Sequence, residues 1–157
     1  MWGCNYFDYK FATGRIVWDK CNGSSSFSDC EIAATDLFTS VRLFRYMWSG
    51  MMQGKSIAEG STMQGNKSLN EKRIHPTQKP VVLYDWIFKN YAEPGQKILD
   101  THLGSGSSRI AAYEAGLDFI GFEIDPFYFQ LEEERFAEYT SQTSLFHMEG
   151  GETKNEN

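Results

Sequence analysis

Residues 100–108, with the sequence DTHLGSGSS, constrain the fold more than any other segment of this chain. They follow a short apolar run at residues 97–100, which predicts a buried strand, and they lead into residues 107–115, which predict a helix ended by Gly116. A second apolar run at residues 118–124 predicts another strand. A strand, a glycine turn, a helix and a second strand in this order predict a parallel α/β unit.

Helices are expected on both sides of this unit along the chain. Pro80 can occupy the first helical position before the broad apolar surface of residues 81–91, and the sequence EPG at residues 93–95 ends that helix. The Asp-Pro pair at residues 125–126 is typical of a helix start. We therefore expect a last helix from there to about Tyr139.

The first half of the chain is less regular. Residues 15–20 predict a strand, and the polar residues 22–28 predict a flexible loop. Residues 37–48 mix aromatic and branched side chains with two arginines, which favours a strand or a hairpin arm. Residues 50–70 are rich in glycine, serine, glutamine and methionine, so we expect a mobile excursion there. Residues 150–157 predict a frayed tail.

Composition indicates one ordinary soluble domain. Of the 157 residues, 41% are hydrophobic and 23% charged, and no apolar run approaches the roughly 18 residues of a membrane span. The amino terminus lacks the order of a signal peptide, so we expect a cytoplasmic protein. Cys4, Cys21 and Cys30 are an odd number of cysteines without a Cys-x-x-Cys pair, so neither a disulfide framework nor a metal site is expected.

Charge is distributed unevenly. Residues 40–97 contain nine Lys and Arg against four Asp and Glu, whereas residues 99–157 contain three against twelve. A net charge of -6 alone argues against nucleic acid, but a local basic segment can follow phosphates while the rest of the domain stays acidic. A solvated surface is an equally good explanation on charge alone.

The glycine loop favours a nucleotide-like cofactor. Glycines at a strand-to-helix turn let the backbone approach a ligand with its N–H groups, although many such turns contain glycine for steric reasons alone. Glu123 lies at the end of the next strand, seventeen residues after Gly106, where dinucleotide-binding folds place a carboxylate for the ribose.

S-adenosylmethionine suits this loop better than a dinucleotide. Arg109 occupies the position of the third glycine in the dinucleotide fingerprint, and the carboxylate of Asp100 would repel a pyrophosphate. S-adenosylmethionine carries a cationic sulfonium and an ammonium group, which an anionic site can bind. An NAD-dependent oxidoreductase is therefore disfavoured, and a loop or helix cap is the alternative role of Asp100.

Three motifs follow one another in the second half of the chain: His75-Pro-Thr-Gln-Lys-Pro80, the loop at residues 100–107, and Gly121-Phe-Glu-Ile-Asp125. Their order and spacing resemble those of bacterial and phage DNA amino-methyltransferases, which methylate adenine N6 or cytosine N4. The resemblance is to the permuted class whose catalytic region precedes the cofactor region, and it covers nearly all of residues 2–140. It implies a Rossmann-like S-adenosylmethionine-dependent methyltransferase fold with an incomplete sheet, encoded by a bacterium or phage. The expected target is adenine N6.

The resemblance also implies roles for individual residues. Glu123 would bind the ribose hydroxyls. Four residues of the glycine loop would shape the methionine pocket: Asp100, His102, Gly104 and Gly106. Three residues of the preceding motif would close over the methionine end: Thr77, Lys79 and Pro80. Five cations of the target-facing segment would contact double-stranded DNA: Arg42, Arg45, Lys55, Lys72 and Arg73.

Two features of the target-facing segment leave alternatives open. Arg42 and Arg45 are three residues apart and fall on opposite faces of a regular strand, so one of them has a structural role as its alternative. Tyr46 and Trp48 are suited to stacking on bases, but aromatic residues in a strand more often belong to the core.

The resemblance divides the chain into subregions. It implies one methyltransferase domain over residues 1–140, followed by a tail at residues 141–157. Within the domain, residues 1–39 would belong to the catalytic subregion, residues 40–74 to target recognition and residues 75–140 to cofactor binding.

One motif of the family is missing. Its members carry a tetrapeptide, Asp/Asn/Ser-Pro-Pro-Tyr/Phe/Trp, that polarises the target amine and stacks on a flipped base. No such tetrapeptide precedes Asp100, so we expect an amino-terminally truncated enzyme without a catalytic residue of its own. Asp125, in the partial match DPFY, is disfavoured as a catalytic residue because a helix start explains it.

Two partners are further expectations. Gln142, Leu145 and Phe146 follow the predicted last helix and resemble a peptide with which bacterial proteins dock on the sliding clamp, although a hydrophobic anchor on the domain itself explains them equally well. A second chain that supplies the missing strands is the other partner. The rival to a truncated enzyme is a split, non-catalytic subunit that binds cofactor or DNA.

Overall fold

The computed structural model describes residues 1–23 and 28–149, and for residues 143–149 it describes the helical backbone alone. These residues form two compact units, and the boundary lies between Lys72 and Arg73. Residues 24–27 of the predicted polar loop and the predicted tail at residues 150–157 lie outside the described residues.

The first unit contains a three-stranded mixed sheet. Strand β1 (Gly14–Asp19) lies in the centre, antiparallel to β2 (Cys30–Thr35) and parallel to β3 (Val41–Arg45). Alternate residues of β1 are buried, as expected for a strand with one face on a core. Trp18 is fully buried, and its indole N–H donates to the carbonyl of Tyr46 at 3.0 Å. The strands predicted at residues 15–20 and within 37–48 are confirmed.

The segment after β3 is organised, so the expectation of a mobile excursion is wrong. It contains the short strands β4 (Trp48–Ser49) and β5 (Met52–Gln53), which pair with each other, and a 3₁₀ turn at Lys67–Leu69. The buried amide of Gln53 donates to the carbonyl of Glu71 and accepts from its N–H, both at 2.8 Å. The side chain of Gln53 thus pairs with the backbone of Glu71 as a neighbouring strand would. Composition alone does not predict this contact.

The second unit is built around a parallel strand pair. Helix α1 (Val81–Tyr91) precedes β6 (Lys97–Asp100), and helix α2 (Ser107–Glu114) connects β6 to β7 (Asp118–Gly121). Strands β6 and β7 are parallel neighbours. The predicted α/β class with a Rossmann-like β–α–β unit is confirmed, and in the described residues of this unit the sheet has two strands and is therefore incomplete.

In the part of the chain that the structure describes, one face of that strand pair is exposed. Leu99 and Ile120 pair across the sheet and are 63% and 55% exposed. Parallel sheets are normally covered on both faces, so this face is suited to an additional element.

The helix boundaries differ from prediction at two places. Pro80 has φ -68° and ψ 148° and lies one residue before α1, so it is the cap and not the first helical residue. Helix α3 (Pro126–Glu149) continues ten residues past the predicted end at Tyr139, because neither glycine nor proline interrupts the chain before Gly150. Within the described residues, no helix is long and apolar enough to cross a bilayer.

Candidate cofactor site

Asp100 fixes the start of the glycine loop. It ends β6, and its carboxylate accepts the N–H of His102 at 3.0 Å and the hydroxyl of Ser108, in the first turn of α2, at 2.5 Å. These bonds connect the strand, the loop and the helix through one side chain. The capping role considered for Asp100 is therefore present, and its contact with a cofactor stays a prediction.

The two glycines of the loop are required for different reasons. Gly104 and Gly106 have φ angles of 56° and 70°, which residues with a side chain rarely adopt. A Cβ at Gly104 would be in ordinary van der Waals contact with the ring of His75, at 3.7 Å, and the carbonyl of His102, at 3.8 Å. A Cβ at Gly106 would lie 2.4 Å from the carboxylate of Glu132. Gly104 is thus required for its backbone conformation alone, whereas Gly106 also permits close packing against α3.

Glu123 is connected to the loop through the backbone. It follows β7, and its carboxylate accepts the N–H of Gly104 at 2.8 Å and the N–H of Asp125 at 3.0 Å. The bond from Asp125, and then that from Gly104, hold the pKa of Glu123 below its ordinary value. The hydrogen bonds to the ionised carboxylate of Glu123 therefore stabilise the folded chain fully at pH values above the ordinary pKa of a glutamate. This stabilisation is lost as the pH falls through the lowered pKa of Glu123.

His75 and Tyr128 also border the loop, although the sequence assigned neither of them a role. The two rings meet edge to face with centroids 4.3 Å apart. The Nδ1 atom of His75 accepts the N–H of Thr77 at 3.3 Å and lies 3.1 Å from the hydroxyl of Thr77. Thr77 therefore contacts His75, and the ring of His75 lies beside Gly104 of the loop. The position of His75 in the same motif was the one available signal.

The other residues expected around the methionine end are not all brought to the loop. Pro80 is fully buried at the start of α1 and has no surface left for a ligand. Lys79 is half-buried, and the exposed ring of His102 lies 3.0 Å from the hydroxyl of Thr101. The ligand contacts of Lys79 and His102 stay predictions.

The cations expected to contact DNA have different surroundings in the first unit. Arg42 is exposed, with its guanidinium 5.9 Å from the ring of Phe38. Arg45 binds the carboxylate of Asp19 at 3.0 Å, so it is the arginine with a structural partner in the sheet. Lys55 forms an exposed ion pair with Glu59 at 2.9 Å.

Lys72 and Arg73, the two remaining cations, are exposed on either side of the boundary between the units. Contacts of all five cations with DNA stay predictions.

Two aromatic residues considered for base stacking belong to the core instead. Tyr46 and Trp48 are 6% and 5% exposed. The hydroxyl of Tyr46 donates to the carbonyl of Gly54 at 2.8 Å, and burial raises the pKa of Tyr46 to about 12. Neither ring can stack on a base without leaving its place in the core.

Helix α3 accounts for two further sequence features. The carboxylate of Asp125 accepts the N–H of Phe127 at 2.9 Å, which is the predicted cap; the absence of a catalytic role stays a prediction. Gln142 lies within α3, so the expectation that the clamp-like peptide follows the last helix is wrong. The side chains of Leu145 and Phe146 lie outside the described residues.

The second unit has the order strand, glycine turn, helix and strand, followed by an acidic residue. This order is typical of nucleotide-binding α/β units. In the part of the chain that the structure describes, no three His, Cys, Asp or Glu side chains are grouped as a metal site. The chain belongs to the N6/N4 DNA methylase family, whose model matches residues 38–134.

Comparison with known proteins gives relatives of the same kind. A protein of Escherichia coli (strain K12) named "Putative methylase YubD" is 35% identical over 65 residues, which are 41% of this chain and 29% of that protein. The type II methyltransferase M2.LlaDCHI of Lactococcus lactis subsp. cremoris is 26% identical over 132 residues, which are 84% of this chain and 44% of that protein. The chain thus spans less than half the length of these relatives.

Among solved structures, the crystal structure of the M1.HpyAVI-SAM complex is similar to this chain with 24% identity and a TM-score of 0.48. The match covers 77% of this chain and 60% of that one.

Proposed function

We propose that this chain binds S-adenosylmethionine and belongs to an enzyme that methylates an exocyclic amino group of DNA, with adenine N6 as the target. The observation that carries the proposal is the glycine loop held between the carboxylates of Asp100 and Glu123. Membership of the DNA methylase family supports it. The resemblance to bacterial and phage enzymes supports the further proposal that the chain acts in a modification system in the cytoplasm.

The chemistry of the loop fits S-adenosylmethionine. When bound, this cofactor supplies a methyl group on a cationic sulfonium. The carboxylate of Asp100 at the start of the loop suits that cation and disfavours a pyrophosphate. Glu123 uses its oxygens for backbone N–H groups, but a carboxylate oxygen has a second lone pair with which it can accept a ribose hydroxyl.

Replacement of Glu123 by alanine should weaken S-adenosylmethionine binding. The change removes the ribose acceptor and also the acceptor for the N–H of Gly104. Hydrogen bonds to a charged group contribute about 1.5–3 kcal/mol each, so the dissociation constant should rise roughly ten- to hundredfold. Calorimetric titration of the full chain measures it.

Asp118→Ala is the matched control for that measurement. Asp118 begins the strand that Glu123 follows, and its side chain forms an exposed ion pair with Lys97 at 3.9 Å. The control should bind S-adenosylmethionine like the unaltered chain. Equal affinity of the unaltered chain and Glu123→Ala would rule out the proposed ribose contact.

Binding of duplex DNA should weaken as salt rises, because the proposed contacts are between cations and phosphates. Arg42→Ala should reduce the slope of log affinity against log salt by about one unit if Arg42 neutralises one phosphate. Arg45→Ala is the matched variant, and its effect should be smaller because Arg45 already binds Asp19. An affinity that does not change between low and physiological ionic strength would exclude phosphate contacts.

A second candidate function is a split subunit that binds cofactor or DNA and needs a partner chain. One observation favours it: in the described residues, the face of the strand pair at Leu99 and Ile120 is exposed, so a second chain could cover it. The genomic reading frame upstream separates the two candidates, since the motif would be encoded in frame for one chain and in a neighbouring gene for two. Docking on a sliding clamp stays a separate prediction.

A further inference from the structure

Helix α3 packs directly against the glycine loop through a buried carboxylate. Glu132 is 0% exposed, and its Oε1, Cδ and Cγ atoms lie 2.4–2.8 Å from the place that a Cβ of Gly106 would occupy. The glycine therefore does more than permit a turn, because it lets the side chain of Glu132 reach the loop backbone. If the side chain of Glu132 moved away, the backbone of Gly106 would lose the surface against which it packs.

Arg109 on α2 holds this carboxylate in place. Its Nη1 atom donates to both oxygens of Glu132, at 3.0 and 2.9 Å, and to the carboxylate of Glu133 at 2.5 Å. The guanidinium also lies over the ring of Phe136, 3.9 Å from its centroid. The side-chain orientation of Glu132 is thus fixed by Arg109 on α2, the helix that directly follows the loop.

Arg135 supplies a second contact from the same face of α3. It is three residues after Glu132, one helical turn away, and donates to the carbonyl of Ser105 at 2.7 Å and to the hydroxyl of Ser107 at 3.0 Å. The backbone carbonyl before Gly106 and the side chain after it are therefore both bound by α3. We call Arg109, Glu132 and Arg135 the loop brace.

The ion pair between Glu132 and Arg109 joins a fully buried carboxylate to a guanidinium that is 24% exposed. Desolvation of the buried charge offsets part of the attraction, and apolar side chains of the same volume often stabilise as well or better. The arrangement of Glu132 and Arg109 is explained better by orientation than by stability, since a charged pair fixes one geometry that apolar side chains would leave loose.

We propose that Glu132 is a positioning residue, which holds the backbone around Gly106 in the conformation that binds S-adenosylmethionine while touching no ligand itself. The inference rests on the proposed function for the identity of the ligand. The position of the loop itself does not depend on that function.

Glu132→Gln is the test variant, and Glu133→Gln is its matched control. Glu133 is the next residue of α3 and binds the same Arg109, but it is half-exposed and Gly106 packs against Glu132 instead. Hydrogen exchange of the full chain without ligand reports the loop amides at residues 103–107. Glu132→Gln should speed their exchange roughly tenfold while exchange in α1 stays unchanged, and Glu133→Gln should have no such effect.

Calorimetry with S-adenosylmethionine is the second measurement, made well below the melting temperature of each variant. Glu132→Gln should bind roughly tenfold more weakly than Glu133→Gln. If Glu132→Gln does not fold, Arg109→Lys is measured instead, and it should change loop exchange in the same direction because lysine has one donor atom and no plane to lie over Phe136.

Loop exchange and affinity that are equal in Glu132→Gln and Glu133→Gln would overturn the inference and leave the proposed function intact. A different outcome is that the unaltered chain binds no S-adenosylmethionine, although Glu132→Gln still speeds loop exchange. The structural role of the loop brace would then stand, but its role in cofactor binding and the proposed function would both be refuted. The two failures are therefore distinguishable.

Discussion

Gly106→Ala is expected to abolish detectable cofactor binding and to lower the free energy of unfolding by roughly 2–5 kcal/mol. Two costs add. The backbone at Gly106 has φ 70°, and a side chain in this left-handed region costs about 1–2 kcal/mol. The new methyl group would also lie 2.4 Å from Oε1 of Glu132, and overpacking of this kind costs about 1–3 kcal/mol.

Gly116→Ala separates these two costs. Gly116 has φ 66°, similar to Gly106, but nothing lies within 4 Å of the place its Cβ would occupy. It should lose only the backbone term of about 1–2 kcal/mol and keep its affinity for S-adenosylmethionine. Urea denaturation and calorimetric titration measure both variants. Equal losses of stability would mean that α3 yields to the methyl group and that the contact with Glu132 is loose.

The elements of the second unit were predictable because their signals are local. An apolar surface bounded by proline and the EPG stop fixes α1 at Val81–Tyr91, and the short apolar run fixes β6. The end of α3 was not predictable in the same way. Its helix continues to Glu149 through polar residues that neither favour nor forbid a helix, so no stop signal marked the boundary.

The contacts of the candidate site were not predictable from the sequence. The apolar run at residues 118–124 predicts Glu123 at the end of the second strand, whereas β7 ends at Gly121 and Glu123 follows it. The run does not show that the carboxylate accepts the N–H of Gly104, because that bond depends on how closely two separate loops approach. The contact between Gly106 and Glu132 joins residues 26 positions apart and has no local sequence signal. Burial of Tyr46 was equally hidden, since strand aromatics suit both a core and a base-stacking surface.

The isolated chain of 157 residues is expected to transfer no methyl group to DNA, even where it binds S-adenosylmethionine. The nitrogen lone pair of the target amine is delocalised into the base, so transfer needs an oxygen that polarises and positions that amine. In DNA methylases the resemblance assigns this oxygen to a tetrapeptide that the sequence lacks before Asp100.

Transfer of label from S-adenosylmethionine to unmethylated DNA, with the product bases identified by mass spectrometry, measures this activity and separates adenine from cytosine as the target. Activity should appear when a segment carrying the tetrapeptide is supplied, either in the same chain or as a second one. Asp125→Ala is the decisive variant, because Asp125 caps α3 through the N–H of Phe127 and should affect stability by about 1 kcal/mol without any role in transfer. Robust methylation by the isolated chain that disappears in Asp125→Ala would instead make the DPFY sequence the catalytic motif.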